Sequence, residues 1–583
     1  MSDSILDLVD GATEFDDVDA SENFEGASPD DAAPHPEAGG AFSAASHQGR
    51  DQNSHVWWWR REVRRRANRA LGHWACLHLP MTDLGNAQRF IARHGHNFLY
   101  VETWGWLAWD GKRWNGRDAE ALMARAVQRT IKAISGEAAM IAEMSEAMDP
   151  PRVVRVRDYS AGAAVDYINP VVDIKKDRVQ LRSDRLAGWA MVSQSNAHVS
   201  CIERLVRPHL TAATDEFDAD AMAFNVSNGT LRFGKQHDGY VVLTTHARED
   251  RITKISDVVY DPKATSPLYD AFLNRVQPEL DRDGKPRHVQ RHLHIMAGVS
   301  LTAIHLQHFW FWYGLGRNGK SVLAETWAHV AGEYGQAIPV ESFLDQGRSR
   351  RGGEASPDIA ALPGVRMLRT SEPSRGAKLD EGLVKLVTGG EAMRARHLNR
   401  DFFEFKPDFK LQMLGNHKPK IEGTDEGIWR RVLLVPWEVT IPESEVDPQL
   451  LNKLRVEAPG ILNRMLDGLR DFLDNGLAAP DTVKAATADY RDDSDPIGQF
   501  LKDCTAPNPD ANEAGGALYK LYVAWAKANG ERPFSPKAFS KSMQEHGIRK
   551  LKSSGIYYCG VYATATVGDF RGKEFEDDSR KGD

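Results

Sequence analysis

A chain of 583 residues is long enough for several domains, and 41% hydrophobic and 27% charged residues are typical of a globular protein. The net charge of −8 is unevenly distributed, because residues 1–50 carry twelve acidic residues against one basic residue, Arg50. That segment has a net charge of −11, which leaves +3 for the rest of the chain, so overall charge neither establishes nor excludes binding to nucleic acid.

The sequence also argues against a membrane protein, a secreted protein and a protein built around zinc sites. No run of about 18 apolar residues predicts a membrane span, and no basic segment followed by an apolar one predicts a signal peptide. The cysteines lie far apart, without the spacing of a zinc site or a disulfide framework: Cys76, Cys201, Cys504 and Cys559. These features predict a cytoplasmic protein without membrane association.

The first 70 residues change abruptly in character. Residues 1–55 are rich in Asp, Glu, Ala, Ser and Gly and predict a disordered acidic tail. Residues 56–70 form a basic arm, in which three tryptophans (57–59) precede six arginines. The arm could stack on bases and contact phosphates, or form an amphipathic helix with its tryptophans in a core. The acidic tail could also fold back on it.

Residues 71–284 predict an α/β region. The pattern favours a hairpin over 98–114 around the turn Asp110-Gly111, a helix over 119–134, and a strand over 224–233 with a turn at Asn228-Gly229. This region contains no sharp catalytic motif. An Asp-x-Asp pair, Asp218 and Asp220, could hold metal ions in principle, but no partner motif accompanies it, so an ordinary structural role is favoured.

The most informative stretch follows the aromatic run 308–313, which is typical of a buried strand. It matches G-x-x-x-x-G-K-[ST] in full, and a helical pattern begins at Val322. In such a loop, glycines let backbone N–H groups surround phosphate oxygens, Lys320 supplies a cation to the β- and γ-phosphates, and the Ser321 hydroxyl can hold Mg²⁺. The predicted nucleotide-binding residues are Gly314, Leu315, Gly316, Arg317, Asn318, Gly319, Lys320 and Ser321.

An acid must hold Mg²⁺ and polarise the attacking water. Glu372 is the candidate, because it ends a strand-like segment, and α/β sheets bind ligands at the carboxyl ends of their strands. Asp380 and Glu381 are rival acids nearby. Asn416 ends the next strand-like segment, where its amide could bond both the γ-phosphate and the attacking water.

Residues 425–439 predict a short helix, two arginines and a strand. Arg430 or Arg431 could reach the γ-phosphate of a neighbouring subunit as an arginine finger. Ion pairing with Asp425 or Glu426 on the surface is the alternative role.

The C-terminal part predicts helices over 441–502, a polar loop over 503–516, and then two helices (517–530, 535–547) and two short strands (548–563). Helix, helix, strand, strand is typical of a winged helix, here assigned to residues 503–566. Its candidate recognition helix and wing are basic, through Lys537, Lys541, Arg549, Lys550 and Lys552. A helical packing module with solvated lysines is the alternative. Residues 567–583 form a charged tail.

The ordered segments GLGRNGKS, RTSEP, LVKLVTGGEAMRARHLNRDFFEFKPDFKLQMLGNHKP and GTDEGIWRRVLLVPWEV closely resemble the superfamily 3 helicase domain of phage, plasmid and poxvirus-type primase-helicases. The resemblance is strong over 285–440. It is weaker upstream, where 98–114 and 224–233 are similar to the family's pre-helicase domain, and in the winged-helix-like tail. It implies an α/β protein with an AAA+-like P-loop core (285–440), an α/β N-terminal pre-helicase domain (71–284) and a winged-helix-like C-terminal domain (503–566).

The resemblance also implies a function. The chain would be an ATP-dependent DNA helicase of phage- or plasmid-type replication, a hexameric ring around single-stranded or forked DNA. ATP and Mg²⁺ would be its cofactors, and other replication proteins its further partners. Lys320 would act in Walker A, Glu372 in Walker B and Asn416 as sensor 1, with Arg430 or Arg431 as the finger. Ser321 and Glu372 would hold the metal.

A pore hairpin is implied just before the sensor strand, and residues 394–405 fit it. Arg396, His397 and Arg400 lie near its tip and would contact DNA phosphates. Phe402 and Phe403 behind the tip are predicted to pack in the core.

One departure from the family pattern concerns the strand before Glu372, which Arg366 and Arg369 interrupt, whereas the family's strand is more evenly apolar. A different class of function also stays open: a DNA-binding initiator or loader, in which ATP binding only sets the assembly state. Primer synthesis is not expected, because only about 70 residues, mostly in the acidic tail, precede the pre-helicase region.

Overall fold

The structure is a computed structural model, and it describes residues 72–73, 76–77, 79–146, 171–175, 178–347, 357–396, 402–423 and 426–570. The predicted acidic tail and the tryptophan–arginine arm lie outside the described residues. The density of internal contacts divides the chain into two units, the first ending at Glu216 and the second beginning at Phe217, with Gly111–Arg113 in the second. Residues 217–284, which the sequence pattern grouped with the upstream region, thus belong to the second unit.

The first unit packs helices on a small antiparallel sheet. Its elements are α1 (Asp83–His94), β1 (Phe98–Val101), β2 (Gly105–Trp109), β3 (Trp114–Asn115), α2 (Ala119–Glu146), β4 (Val171–Lys175), β5 (Arg178–Leu181), α3 (Arg182–Val192) and α4 (Asn196–Val206). Strands β1, β2 and β3 pair in that order, which confirms the predicted hairpin, with Gly111 at φ +99° in its turn. The predicted helix over 119–134 is confirmed as α2, which continues to Glu146.

Helix α2 carries buried apolar residues every three or four positions, among them Met123, Val127 and Ile131, and so presents one face to the core. Arg89 of α1 and Glu137 of α2 are both fully buried, and they form an ion pair of 2.8 Å that joins the two helices. Removing Glu137 would leave the buried charge of Arg89 uncompensated, whereas Glu137 has a second ion pair with Arg93 at 2.8 Å.

The second unit begins with an antiparallel meander of β6 (Ala223–Val226), β7 (Gly229–Phe233) and β8 (Val241–Thr244). The segment 224–233 is therefore a hairpin, with Ser227 and Asn228 between its strands. Its apolar side chains Phe224, Leu231 and Phe233 are buried in the larger core of this unit.

A five-stranded parallel sheet forms the centre of the second unit. Its strands are β9 (Phe309–Tyr313), β10 (Gly335–Ile338), β11 (Met367–Thr370), β14 (Lys410–Gly415) and β15 (Val432–Pro436), in the order β10-β11-β14-β9-β15. Strand β9 has a neighbour on each side and a core on each face: Trp310 and Trp312 enter one core, Phe309 and Phe311 the other. Burial on both faces explains the unbroken apolar run in its sequence.

Helices and a short hairpin complete this core. They are α5 (Pro267–Val276), α6 (Val289–Val299), α7 (Lys320–Ala331), α8 (Pro357–Ala360), α9 (Glu381–Val387), β12 (Met393–Ala395), β13 (Phe403–Phe405), α10 (Glu426–Trp429), α11 (Leu450–Val456), α12 (Ala458–Asn475) and α13 (Asp481–Asp493). Helices α6 and α12 approach backbone to backbone through Gly298 and Gly468. A Cβ added to Gly468 would lie 1.9 Å from the His294 carbonyl oxygen.

The C-terminal elements are α14 (Pro496–Cys504), β16 (Thr505–Ala514), α15 (Gly515–Ala528), α16 (Pro536–Glu545), β17 (Arg549–Lys552) and β18 (Ile556–Ala563). The predicted helices and the final pair of strands are confirmed. The predicted polar loop 503–516 is wrong over most of its length, because Thr505–Ala514 pairs with β18 as a third strand. The pairing register shifts between Pro507 and Asn512, so the residues that disfavour a regular strand lie in this irregular part.

None of the described helices has both the length and the apolar character that crossing a bilayer requires.

The close approach of α6 and α12 gives a test of this packing. Gly468→Ala should lower the free energy of unfolding by about 1–3 kcal/mol, because the new methyl group must push the two helix backbones apart. Calorimetric unfolding would measure the loss. Gly516→Ala is the matched control, since that exposed helical glycine has open space around it. Equal stability of the two variants would refute the packing.

Candidate functional site

The loop Gly314–Ser321 joins the carboxyl end of β9 to the start of α7. Its glycines are needed for steric reasons. A Cβ on Gly314 would lie 2.3 Å from the Trp437 carbonyl oxygen, and Gly319 has φ +82° with the Val276 side chain 2.6 Å from an added Cβ. The backbone turn therefore brings the free N–H groups at the start of α7 to the carboxyl edge of the sheet, where they can bind an anion.

Two contacts hold the loop in place. The Asn318 amide, which is buried, donates to the Trp437 carbonyl oxygen at 3.4 Å, and Ile441 N donates to the Arg317 carbonyl oxygen at 2.6 Å. Trp437 and Ile441 both follow β15 in the chain, so the segment after that strand fixes the shape of the loop. Leu315, by contrast, is 83% exposed.

Lys320 is buried at the base of the loop, and its ammonium group stays within the site. Its Nζ donates to the Gly314 carbonyl oxygen at 2.5 Å and to Asn416 Oδ1 at 3.2 Å. Burial lowers the pKa of Lys320 to about 8, and the negative charge of Glu372 opposes that shift only in part. A bound anion would stabilise the charged ammonium and so oppose the effect of burial on the pKa of Lys320.

Glu372 and Asn416 meet across the ends of β11 and β14. Asn416 N donates to Glu372 Oε1 at 2.6 Å, and Asn416 Nδ2 donates to Glu372 Oε2 at 3.2 Å. Asn416 thus contacts both the lysine and the acid, and three residues separated by about 100 positions form one hydrogen-bonded group, the Lys320–Asn416–Glu372 network. The structure brings these three predicted residues together.

This network lies in a cleft of about 720 Å³, a size that suits a small organic ligand. Residues 316–322 line one side, and the ends of β10, β11 and β14 line the other. Ser321 is exposed to the cleft. Two further residues line the cleft: Glu325, which has no place in the sequence motifs, and Arg369, the first residue of RTSEP, to which no role was assigned. Only the helical spacing of Glu325 from Ser321 could have indicated its position.

The rival acids have structural partners elsewhere. Asp380 caps α9 by accepting from Leu383 N at 2.9 Å, and Glu381 accepts from Gly423 N at 2.7 Å. Asp218 accepts from Thr253 N at 2.9 Å, and Asp220 pairs with Arg232 at 2.9 Å. Among the described residues, no group of three or more His, Cys, Asp or Glu side chains is arranged to hold a metal ion.

The two arginines that interrupt the family pattern before Glu372 have separate roles. Arg366 is buried, donates to the carbonyl oxygens of Ala223 (2.5 Å) and Leu301 (2.6 Å), and stacks on the Tyr334 ring at 4.7 Å. It therefore joins the parallel sheet to the meander. Arg369 instead faces the cleft, where its NH1 donates to Glu325 Oε1 at 2.6 Å.

The predicted arginine pair lies at the opposite end of the sheet from the cleft. Phe309 N, at the start of β9, donates to the Arg431 carbonyl oxygen at 2.8 Å, whereas the loop begins after Tyr313. Arg431 is 8% exposed and donates from Nε to Thr388 Oγ1 at 3.0 Å and from NH1 to the Gly427 carbonyl oxygen. Arg430 is exposed. Of the two arginines, Arg430 is therefore the one that another molecule can reach.

The predicted hairpin is present as the antiparallel pair β12 and β13. Of its proposed tip residues, His397 and Arg400 lie outside the described residues, whereas Arg396 stacks on the Phe402 ring at 4.8 Å. Phe403 packs in the core as predicted, but Phe402 is 44% exposed, so the core role predicted for it is wrong.

Four of the five basic residues predicted to bind DNA in the C-terminal elements are exposed. Lys537 and Lys541 on α16 are exposed, as are Arg549 and Lys552 on β17, which packs against that helix. Lys550 donates to Ser540 Oγ at 2.8 Å and so joins the two elements. Glu545, paired with Lys541 at 3.3 Å, is the one acid on α16 and β17.

Fold and cleft define a parallel α/β protein with a glycine-rich loop at the carboxyl edge of its sheet, and comparison with known proteins places it more narrowly. Residues 87–278 match the family model described as D5 N terminal like. The matched residues lie in the upstream region, where the sequence resembles the helicase family only weakly. The match ends before Gly314.

Viral proteins are similar to the chain. "Putative helicase 022R" of Frog virus 3 (isolate Goorha) is 29% identical over 38% of this chain and 24% of that protein. "Putative helicase L207/L206" of Acanthamoeba polyphaga mimivirus is 26% identical over 44% of this chain and 28% of that protein. "Putative helicase 184R" of Invertebrate iridescent virus 6 is 22% identical over 65% of this chain and 40% of that protein. The chain thus spans 24–40% of the length of these relatives.

Among solved structures, the apo structure of the NrS-1 C terminal region (305-718) is 12% identical, with a TM-score of 0.32, over 52% of this chain and 78% of that chain. The family resemblance predicted from the sequence is confirmed by the D5 N-terminal-like match and by the viral relatives.

The contrast between the two arginines can be measured directly. Arg431→Ala should lower the free energy of unfolding by about 1–3 kcal/mol, because Thr388 and the Gly427 carbonyl lose a buried donor. Arg430→Ala should change it by less than about 0.5 kcal/mol, since an exposed side chain is removed. Thermal unfolding of both variants checks this, and the reverse order of stabilities would contradict the assignment.

Proposed function

We propose that this protein is an ATP-dependent DNA helicase whose active sites lie between subunits of a ring. The single observation that carries the proposal is the Lys320–Asn416–Glu372 network in the cleft at the end of the parallel sheet. A cation, an amide and a carboxylate converge there beside the N-terminus of a helix, as hydrolysis of a nucleoside triphosphate requires. The viral relatives are named putative helicases, which supports strand unwinding.

Each residue of the network has a distinct task in the proposed reaction. Lys320 exchanges its bonds to Gly314 and Asn416 for the β- and γ-phosphate oxygens, and its charge offsets theirs. Glu372, freed from Asn416, accepts a proton from the attacking water. Asn416 then bonds the γ-phosphate, so its position depends on whether that phosphate is present.

The donor set suits Mg²⁺, which prefers oxygen ligands and keeps several waters. Ser321 presents a hydroxyl to the cleft, and Glu372 presents a carboxylate from the opposite side. These two residues would hold the ion, which neutralises charge on the β- and γ-phosphates when it is bound.

The arginine must come from another subunit. Strand β9 separates Arg431 from the loop by about 13 Å at 3.3 Å per residue, and Arg430 lies beyond that end. Within one chain, the Arg430 guanidinium is therefore too far from the cleft. Because the cleft and Arg430 occupy different surfaces, a contact between them is head-to-tail, and repeated contacts of this kind close into rings or extend into filaments. We take Arg430, not Arg431, as the finger.

DNA would contact two basic surfaces. The hairpin carries Arg396 and the exposed Phe402, which can pair with a phosphate and stack on a base. The C-terminal elements follow the order of a winged helix, with α16 as recognition helix and β17 in the wing, and their lysines and arginines suit phosphate contacts.

The basic C-terminal surface also favours a second candidate, an initiator or loader that binds DNA and uses ATP only to assemble. In that case Glu372→Gln would keep DNA-loading activity, and the wild type would not separate the strands of forked duplexes of either polarity. A helicase loses strand separation with the same substitution.

Mixing two inactive variants tests the shared active site. Lys320→Ala lacks the lysine but keeps Arg430, and Arg430→Ala lacks the finger but keeps the lysine. Each should lose about 10³-fold or more of the DNA-stimulated ATPase rate. Co-assembled at equal amounts, they should recover about one quarter of the wild-type rate, because random pairing makes one seam in four complete.

Mixing either variant with the double variant Lys320→Ala/Arg430→Ala is the control, since no complete seam can form in those rings. Recovery absent from the first mixture would overturn catalysis between subunits.

The pKa of Lys320 predicts how nucleotide binding depends on pH. Phosphate binds the charged ammonium, and the pKa of Lys320 in the free protein is about 8, so binding above that pH requires uptake of a proton. ADP affinity should be nearly constant from about pH 7 to 8 and then fall up to tenfold per pH unit. Fluorescence titration measures it. Lys320→Ala should bind weakly at every pH without this fall, and a wild-type affinity that stays flat to pH 9.5 would contradict the assignment.

A further inference from the structure

The cleft contains a second carboxylate, Glu325, which no motif accounts for. It lies on α7, one helical turn after Ser321, so the two residues occupy the same face of the helix, about 6 Å apart along its axis. Glu325 and Ser321 both line the cleft with Glu372. A half-exposed carboxylate therefore stands beside the proposed Mg²⁺ ligands.

Arg369 fixes the orientation of this carboxylate. Its NH1 donates to Glu325 Oε1 at 2.6 Å, and its side chain is only 14% exposed. The Nε of Arg369 is buried and has no hydrogen-bond partner among the described residues. An arginine on an interior strand of the sheet, with one donor unsatisfied, costs stability, so packing alone gives no reason for its presence.

The charges also fit a ligand. Arg369 neutralises one unit of the negative charge that Glu325 brings to the cleft, so the carboxylate does not repel a bound triphosphate. Its second oxygen, Oε2, is not engaged by the Arg369 NH1 bond. An ionised carboxylate held in this way can accept hydrogen bonds from water bound to a metal ion.

We propose that Glu325, oriented by Arg369, is a positioning residue that accepts hydrogen bonds from the water shell of the Mg²⁺ ion held by Ser321 and Glu372. This inference rests on the proposed function, and it adds the Glu325–Arg369 pair to the residues that select the metal-bound form of the nucleotide. Groups just outside a metal's ligands typically change metal affinity 10–100-fold when they are removed.

Titration with Mg²⁺ separates this role from a structural one. A fluorescent ADP analogue is bound to the full chain, first in EDTA and then at rising Mg²⁺ concentration. Glu325→Gln should leave the affinity in EDTA within about twofold of wild type, yet raise the Mg²⁺ concentration for half-saturation about tenfold or more. Arg369→Met should show the same change, and Arg369→Lys a smaller one, because a cation is kept.

Glu422→Gln is the matched control, since Glu422 pairs with Lys378 at 2.6 Å and neither residue lines the cleft. It should match wild type in both titrations. An unchanged Mg²⁺ requirement in Glu325→Gln, beside a clear requirement in wild type, would overturn the inference while the proposed function stands. A wild type that binds the analogue equally in EDTA and in Mg²⁺ would also overturn the inference alone, and a wild type that does not bind the analogue in either condition would overturn both.

Discussion

The bonds of Asn416 to Lys320 and Glu372 are the interaction on which the rest of the site depends. They form only because β14 lies between β9 and β11, so that the loop lysine, the amide and the acid end side by side at one edge of the sheet. The aromatic core beneath β9 and the contacts of Asn318 and Arg317 with the segment after β15 hold that edge in place. A mobile edge would lose the alignment of all three groups.

Much of this arrangement could be predicted from the sequence, because its signals are local and specific. A loop that needs glycines at Gly314 and Gly319 has few alternatives, and a polar residue at the end of a buried strand meets others at the same sheet edge. Alternating apolar residues likewise predicted the hairpin over 98–114, and helical spacing predicted α2.

What the sequence could not give depends on distant parts of the chain. The polar segment Thr505–Ala514 becomes a strand because β18 offers it an edge, a partner about 50 residues away. Arg430 and Arg431 are chemically identical, and only the packing around Thr388 shows which of them is buried. The pairing of Arg369 with Glu325 requires β11 to lie beside α7. Residues in the tip of the hairpin and before residue 72 stay predictions.

Because Arg430 lies too far from the cleft of its own chain, the central claim is that Arg430 reaches the nucleotide bound by a neighbouring subunit. An electron cryomicroscopy structure with a slowly hydrolysed ATP analogue and forked DNA tests it most directly. The account predicts analogue phosphates bonded to Lys320 of one protomer, with the Arg430 guanidinium of the adjoining protomer within about 3 Å of the γ-phosphate. The account would be contradicted if no nucleotide density were present at residues 314–321 in saturating analogue, or if Arg430 pointed away from every adjoining protomer.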